Sequence, residues 1–318
     1  MSIISSDINR AIQILNSEDV VAIPTETVYG LAGNIYSEKA IKKIFEVKER
    51  PLFNPLIVHL HTIDQVRKVV TVFPDKAKQL AAAFWPGSLT LVLKKHASVP
   101  DLITANKDTV AIRIPNHPVT LELLKELDFP LAAPSANPFN RISPTKSTHV
   151  EAYFKDKITM VLEGGSCNNG LESTIIGFEN ELPVLYRLGS ISVEEIEMVI
   201  GKIQINNKKD KAPNAPGMLA KHYAPKTKTH LVDDIDQFLK EQSSKRIGTL
   251  TLSKQMKSPN IISSEVLSAD ANLKEAASKL YAALHKLDAQ DLDLIVIERF
   301  PNKGVGATIN DRLERATK

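Results

Sequence analysis

A short apolar run, Val20-Val21-Ala22-Ile23, stops at Pro24 and gives way to Thr25-Glu26-Thr27-Val28-Tyr29-Gly30-Leu31. Four consecutive apolar residues without alternation predict a buried strand, and the proline marks its end. The polar cluster then sits at a strand end, where backbone and hydroxyl groups face a ligand. A chain built around such a strand needs helices to cover its sheet, and its apolar content is mostly aliphatic, with only 5% aromatic residues, as covered sheets require.

The neighbouring pattern agrees. Ile8, Ala11, Ile12 and Leu15 make a helical stripe over 6–16, and Ala40, Ile41, Ile44, Phe45 and Val47 make another over 37–48, stopped by Pro51. Strands are predicted at 55–60, 89–93, 110–114, 131–133, 160–162, 173–177 and 184–187, with helices at 64–70, 76–84, 119–127 and 193–200. Residues 1–205 thus read as one large α/β unit. Residues 206–229 hold three prolines and six lysines with almost no apolar periodicity, the punctuation of a linker. Beyond it, strands at 246–252 and 294–297 and helices at 273–287 and 309–317 predict a small βαβ-like domain over 230–318.

Several function classes drop out. One cysteine, Cys167, leaves no internal disulfide framework and no cysteine-based zinc finger. A net charge of +3 is too mild to establish a nucleic-acid binder. No apolar run nears the roughly 20 residues that span a bilayer, and the first residues lack the basic start and long apolar core of a signal peptide. The cytoplasm is the expected home.

What remains is a set of cations, hydroxyls and amides with few carboxylates, which suits an anionic, phosphate-bearing substrate. Lys48 and Arg50 stand two apart at a helix end, a point charge beside a planar fork that grips phosphate oxygens; alone, such a pair is commonly a solvated face. Pro134-Ser135-Ala136-Asn137 has the grammar of a turn, and Glu172-Ser173-Thr174 that of a strand with structural hydroxyls. His59 and His61 share a strand face, yet no nearby cluster completes a coordination shell, so a hydrogen-bonding role fits better than a metal. Arg113 lies between apolar neighbours on a strand and needs an anionic partner, either structural or bound. Neither a phosphate loop nor a G-x-S-x-G elbow is present.

In order along the chain stand PTETVYGL (24–31), KERPLFNPLIVH (48–59), FWPGSLT (84–90), VAIRIPNHP (110–118), PSANPFNRISPT (134–145), ESTII (172–176), YRLGS (186–190) and PGMLAKHYAP (216–225), followed by GVGATINDRLERA (304–316). Together they resemble the YrdC family, specifically its long two-domain threonylcarbamoyl-AMP synthases. The resemblance covers almost the whole chain. It implies a large twisted mixed-sheet YrdC-like domain with helices, then a linker that acts as a lid around Lys221-His222-Tyr223-Ala224-Pro225, then a small Rossmann-like C-terminal domain.

It also implies a reaction: threonine, bicarbonate or carbon dioxide, and ATP carried with Mg²⁺ become threonylcarbamoyl-AMP and pyrophosphate. A separate tRNA threonylcarbamoyl transferase complex uses the product, and a weak tRNA contact is among the partners the resemblance implies. By position, Thr27, His59, Arg113 and Ser173 are the implied threonine contacts. Arg50, Asn54, Thr109, Ser135, Ser143, Arg187 and Tyr223 are the implied ATP contacts. Lys48, Arg50, Ser135 and Asn137 form the Lys-x-Arg and Ser-x-Asn pairs expected to be catalytic. Ala133 departs from the family pattern, where a hydroxyl residue often stands. An RNA-binding module of the same fold without adenylylation activity is the rival reading.

Overall fold

The computed structural model describes residues 3–206, 222–242 and 244–318. Among them one sheet runs through eleven strands in the spatial order Ile4–Ser5, Val161–Leu162, Val21–Ile23, Gly30–Asn34, Leu131–Ala132, Ile57–His59, Thr109–Arg113, Leu89–Lys94, Thr174–Glu179, Leu182–Arg187 and Gln204–Ile205. Parallel and antiparallel neighbours both occur in it, so the sheet is mixed, as expected. The expected strand at Val20–Ile23 is present as Val21–Ile23, and it turns back through residues 24–29 into Gly30–Asn34, its antiparallel partner. That second strand was not foreseen, because Gly30-Leu31-Ala32-Gly33-Asn34 has two glycines and a small apolar residue where strand-forming side chains would be read.

One face of the sheet carries the largest apolar cluster, with Leu31, Ile44, Val58, Leu91, Ile112 and Leu185 among its members. The opposite face carries a cluster of Val21, Ile23, Ala32, Leu131 and Leu162 under the helices Ile8–Asn16 and Pro118–Lys125 at one end, and a small one of Ile57, Val92, Ala111, Ile175, Val184 and Tyr186 toward the other. The thinly covered part of that face is where the polar motifs gather. The helix Glu38–Lys48 starts where Ser37 accepts a hydrogen bond from the Ala40 amide, and it ends where Glu49 enters the left-handed region at φ 54°. The reversal at Glu49 sends Arg50 inward beside Lys48.

The second domain is a four-stranded parallel sheet in the order Thr229–Val232, Leu294–Glu298, Ile247–Thr251 and Ile261–Val266. Two of these strands and the helix Ile235–Lys240 were not foreseen. Ile261-Ile262-Ser263-Ser264-Glu265-Val266 is a half-covered edge whose serines hide its alternation, and Thr229–Val232 begins inside the stretch read as linker. The last helix begins at Val305 rather than Ile309, with Gly304 as its cap. Of the expected lid, residues 207–221, including Lys221, lie outside the described residues; His222 and Tyr223 are packed against the site.

The two domains share apolar packing. Val28, Ile142 and Leu171 of the first domain sit in one cluster with Leu280, Tyr281, Leu284, Ile309 and Leu313 of the second. Gly170 packs tightly against the second domain: its φ is +66°, and a Cβ there would lie 2.5 Å from the Ser278 carbonyl oxygen on the helix Leu273–Asp288. Gly170→Ala is therefore expected to cost roughly 1–3 kcal/mol, from the strained conformation plus the overlap. Thermal unfolding of the full chain checks it. An unchanged melting temperature would mean that this contact does not hold the domains together.

Candidate active site

A cavity opens on the thinly covered part of that sheet face. It is lined by Thr25, Thr27, Arg50, Ile57, His59, Arg113, Ala133, Ser135, Glu172, Ser173, Arg187, His222 and Tyr223, with a few apolar neighbours. Sheet register explains the placement. Ile57–His59 runs parallel to Thr109–Arg113 with His59 opposite Arg113, so both side chains project from the same face at the same level. Continuing that register two residues back sets Thr109 beside Pro55, about 13 Å from Arg113 along the strand. The cavity therefore has two ends.

At one end Arg113 is almost fully buried and already partnered. Its Nη2 donates to Glu26 Oε1 at 2.5 Å, its Nη1 to Thr27 Oγ1 at 2.9 Å and its Nε to the Gly87 carbonyl at 3.1 Å. Glu26 also accepts from Ser88 Oγ and the Asn116 amide. Burial alone would raise the Glu26 carboxyl, but Arg113 holds it below the usual carboxylate range. The anionic partner that Arg113 requires is thus structural, and two N–H groups of its fork remain for a ligand.

Thr27 is similarly engaged. Thr25 Oγ1 gives its single proton to the Val28 carbonyl at 2.6 Å, so the 2.8 Å contact between the two threonine hydroxyls uses the Thr27 proton. His59 is buried and neutral: burial first, then the Arg113 charge, push its imidazole down to about 3. Its Nδ1 lies 3.3 Å from the Ile57 carbonyl. A proton there leaves Nε2 as an acceptor. Ser173 Oγ pairs with Thr90 Oγ1 at 2.7 Å and receives Arg187 Nη2 at 3.2 Å.

At the other end the cations gather. Lys48, 1% exposed, donates to the carbonyls of Ser135 and Asn137 at 2.5 Å each, which ties the Lys-x-Arg pair to the Ser-x-Asn turn. Arg50 donates to the carbonyls of Asn54 and Pro55. Among the described residues neither Lys48 nor Arg50 makes an ion pair. Burial, and then Arg50, lower the Lys48 ammonium well below its ordinary value; burial, and then Arg187, lower Arg50. Like charges held together away from water are unfavourable until an anion joins them. Both polar atoms of the Asn54 side chain and Oδ1 of Asn137 are buried without a partner, a deficit that a ligand would relieve.

Five expected residues stand back from the cavity wall. Lys48, Asn54, Thr109 and Asn137 do not line it, and the Ser143 hydroxyl is donated to Glu172 Oε1 at 2.8 Å. Glu26, Thr25 and Thr90 have no role in the sequence reading, and His222 has one only as part of the expected lid. Glu26 and Thr25 lay within the opening motif, but only the fold reveals which side of that loop faces Arg113. His59 and His61 gather no third metal-binding side chain among the described residues. The free volume is about 50 Å³, room for a few waters, and His222 and Tyr223 form part of its wall.

Comparison with known proteins supplies the context. The sequence model of the Sua5/YciO/YrdC family, described as "Telomere recombination", matches residues 13–189, and one described as "Threonylcarbamoyl-AMP synthase, C-terminal domain" matches residues 191–317. The threonylcarbamoyl-AMP synthase of Bacillus subtilis (strain 168) is 40% identical over 97% of this chain and 92% of its own length. That of Pyrococcus abyssi (strain GE5 / Orsay) is 39% identical over 94% and 90%. The crystal structure of P. abyssi Sua5 complexed with L-threonine matches with a TM-score of 0.91 at 37% identity, covering 98% of this chain and 94% of that one.

Proposed function

The chain belongs to the Sua5/YciO/YrdC family, and from that premise we propose that it is an L-threonylcarbamoyladenylate synthase, joining threonine, carbon dioxide from bicarbonate, and ATP into threonylcarbamoyl-AMP with release of pyrophosphate. The observation that carries this reading is the buried pair Lys48 and Arg50, held without a carboxylate beside a chamber whose other end has a neutral imidazole and an arginine fork. Phosphates belong at the first end and an amino acid at the second.

Threonine would take the N–H groups that Arg113 has left, the acceptor nitrogen of His59, and the hydroxyl of Ser173. The Thr27 methyl group would face its side chain. ATP would lie along Arg50, Asn54, Thr109, Ser135 and Arg187 under Tyr223, with Ser143 behind. Asn54 and Asn137 would find the partners they lack. Mg²⁺ would arrive on the ATP phosphates; Glu172, the carboxylate on the cavity wall, is already bonded to Arg312, so the ion would depend on phosphate oxygens and water.

Threonine's neutral amine takes up carbon dioxide and loses a proton as the carbamate forms. A carbamate oxygen attacks the α-phosphorus, and pyrophosphate leaves. This displacement asks the protein for alignment and charge neutralisation rather than a covalent intermediate. Lys48 holds the Ser135–Asn137 turn while Arg50 and Arg187 face the developing charge. A carbamate is lost readily in water, and a cavity closed by His222 and Tyr223 protects it. Room for ATP opens when that segment withdraws, which is the lid behaviour expected of the linker. The product would pass to a tRNA threonylcarbamoyl transferase in the cytoplasm.

Pyrophosphate release from purified protein with ATP and Mg²⁺, omitting threonine or bicarbonate in turn, tests the reading. Release that needs both supports it; salt-sensitive RNA affinity with no release under any condition would replace it with a binding module. Serine, which lacks the threonine methyl, is expected to be used about 10- to 100-fold less efficiently, since one carbon in a small pocket is worth about 1–3 kcal/mol. Equal use of serine would mean that the Thr27 and His59 end does not hold the side chain.

A further inference from the structure

Glu172 sits on the cavity wall, and the group that balances its charge comes from the other domain. Its Oε2 accepts from Arg312 Nε at 2.8 Å, its Oε1 from Ser143 Oγ at 2.8 Å, and the Tyr281 hydroxyl lies 3.1 Å from both oxygens. Arg312, 1% exposed, is held in turn by Asp311 at 2.6 Å and the Leu188 carbonyl at 2.5 Å. Asp311 is matched by Arg315 on the same helix at 2.9 Å, so Arg312 remains the charge partner of Glu172. The Arg312 guanidinium carbon also lies 5.1 Å from the centre of the Tyr223 ring, which stacks at 5.8 Å on Tyr281.

Two cations act on Glu172: Arg312 foremost, then Arg187. Arg187 is anchored on the Ser173 carbonyl at 2.8 Å and touches Ser173 Oγ at 3.2 Å, and its charge is felt at Arg50, so it stands between the two ends and adds its charge to the phosphate end. A buried carboxylate between two guanidiniums turns to the second when the first is removed. We propose that Arg312 is a positioning residue for the nucleotide: by binding Glu172 it prevents that carboxylate from cancelling the field of Arg187, and by covering Tyr223 it keeps that ring against the site. The accessory domain then does more than anchor a lid; it sets the charge of the ATP end.

This inference rests on the assignment of that end to ATP. Calorimetric binding of Mg-ATP and the KM values of both substrates, measured on the full chain, separate the two. A wild-type protein that does not bind ATP removes the assignment and the proposal together. With wild-type binding in hand, Arg312→Met is expected to raise the ATP Kd and KM by roughly tenfold or more, with the threonine KM changed by less than about threefold. Adding Glu172→Gln to Arg312→Met removes the uncompensated carboxylate and is expected to recover most of that loss. A structural role alone would give neither the split between substrates nor the rescue. Unchanged ATP affinity in Arg312→Met overturns the proposal, as does a double variant that binds ATP as weakly as the single one. Should Arg312→Met not fold, the double variant decides: near-normal ATP affinity supports the proposal, and its failure to fold or to bind overturns it.

Discussion

Arg50→Met is expected to lower kcat/KM for pyrophosphate release by about 10²- to 10³-fold, the effect of removing one preorganised donor from a site where charge develops. The same substitution should leave the melting temperature unchanged or slightly raised. Arg50 is 8% exposed, and its fixed contacts are two backbone carbonyls, those of Asn54 and Pro55. Losing them costs about 1 kcal/mol each. Against that, burial and Arg187 both disfavour its charge in the folded state. A methionine removes that penalty while keeping much of the volume. A protein that is stable and nearly inactive is the signature of a cation held for a ligand. Steady-state rates and thermal unfolding of the variant, taken together, decide. A large fall in stability with proportionate loss of activity would make Arg50 a strut for the Asn54 loop and weaken the phosphate assignment.

Much of this arrangement was legible from residue order, and what was not has a physical reason. Lys48 and Arg50 could be placed at a helix end because the apolar stripe stops there and Pro51 forbids continuation. Arg113 could be placed on a strand opposite Ile112 and Ile114, and its need for an anion followed from its neighbours. Which anion could not be read, since Glu26 lies 87 residues earlier and meets Arg113 only after the loop 24–29 folds over the sheet face. Arg312 was further out of reach. The sequence places it in a helix over 309–317 and gives it no role, and only tertiary packing buries it against Glu172, 140 residues away. Chain order reports local periodicity and turn chemistry well; long-range charge pairs leave no periodic trace. The edge strands Thr229–Val232 and Ile261–Val266 were missed for a related reason, because half-covered strands keep polar residues that blur alternation.

Glu26→Gln is expected to destabilise the free protein by about 3 kcal/mol, toward the lower end of what breaking a buried ion pair costs when the orphaned charge keeps a neutral hydrogen bond. The pair is 5% and 7% exposed, so water cannot replace the lost carboxylate. The pH dependence carries a definite sign. Arg113 lowers the Glu26 carboxyl in the folded state, so its contribution is fully present above the unfolded value of about 4.3. It is lost as pH falls through the lower folded value. Wild type and variant should therefore differ most near pH 7 and converge in acid. Threonine adds a second test. With Glu26 neutral, Arg113 carries an uncompensated charge at the amino acid end, and a bound carboxylate would supply the missing partner. Saturating threonine should then raise the melting temperature of Glu26→Gln more than that of wild type, because a ligand that binds only the folded state stabilises by an amount that grows with the logarithm of its affinity. A smaller threonine shift in the variant would mean that the pair serves to hold the 24–29 loop, with the substrate carboxylate bound elsewhere. A larger one would identify Arg113 as the group that receives it.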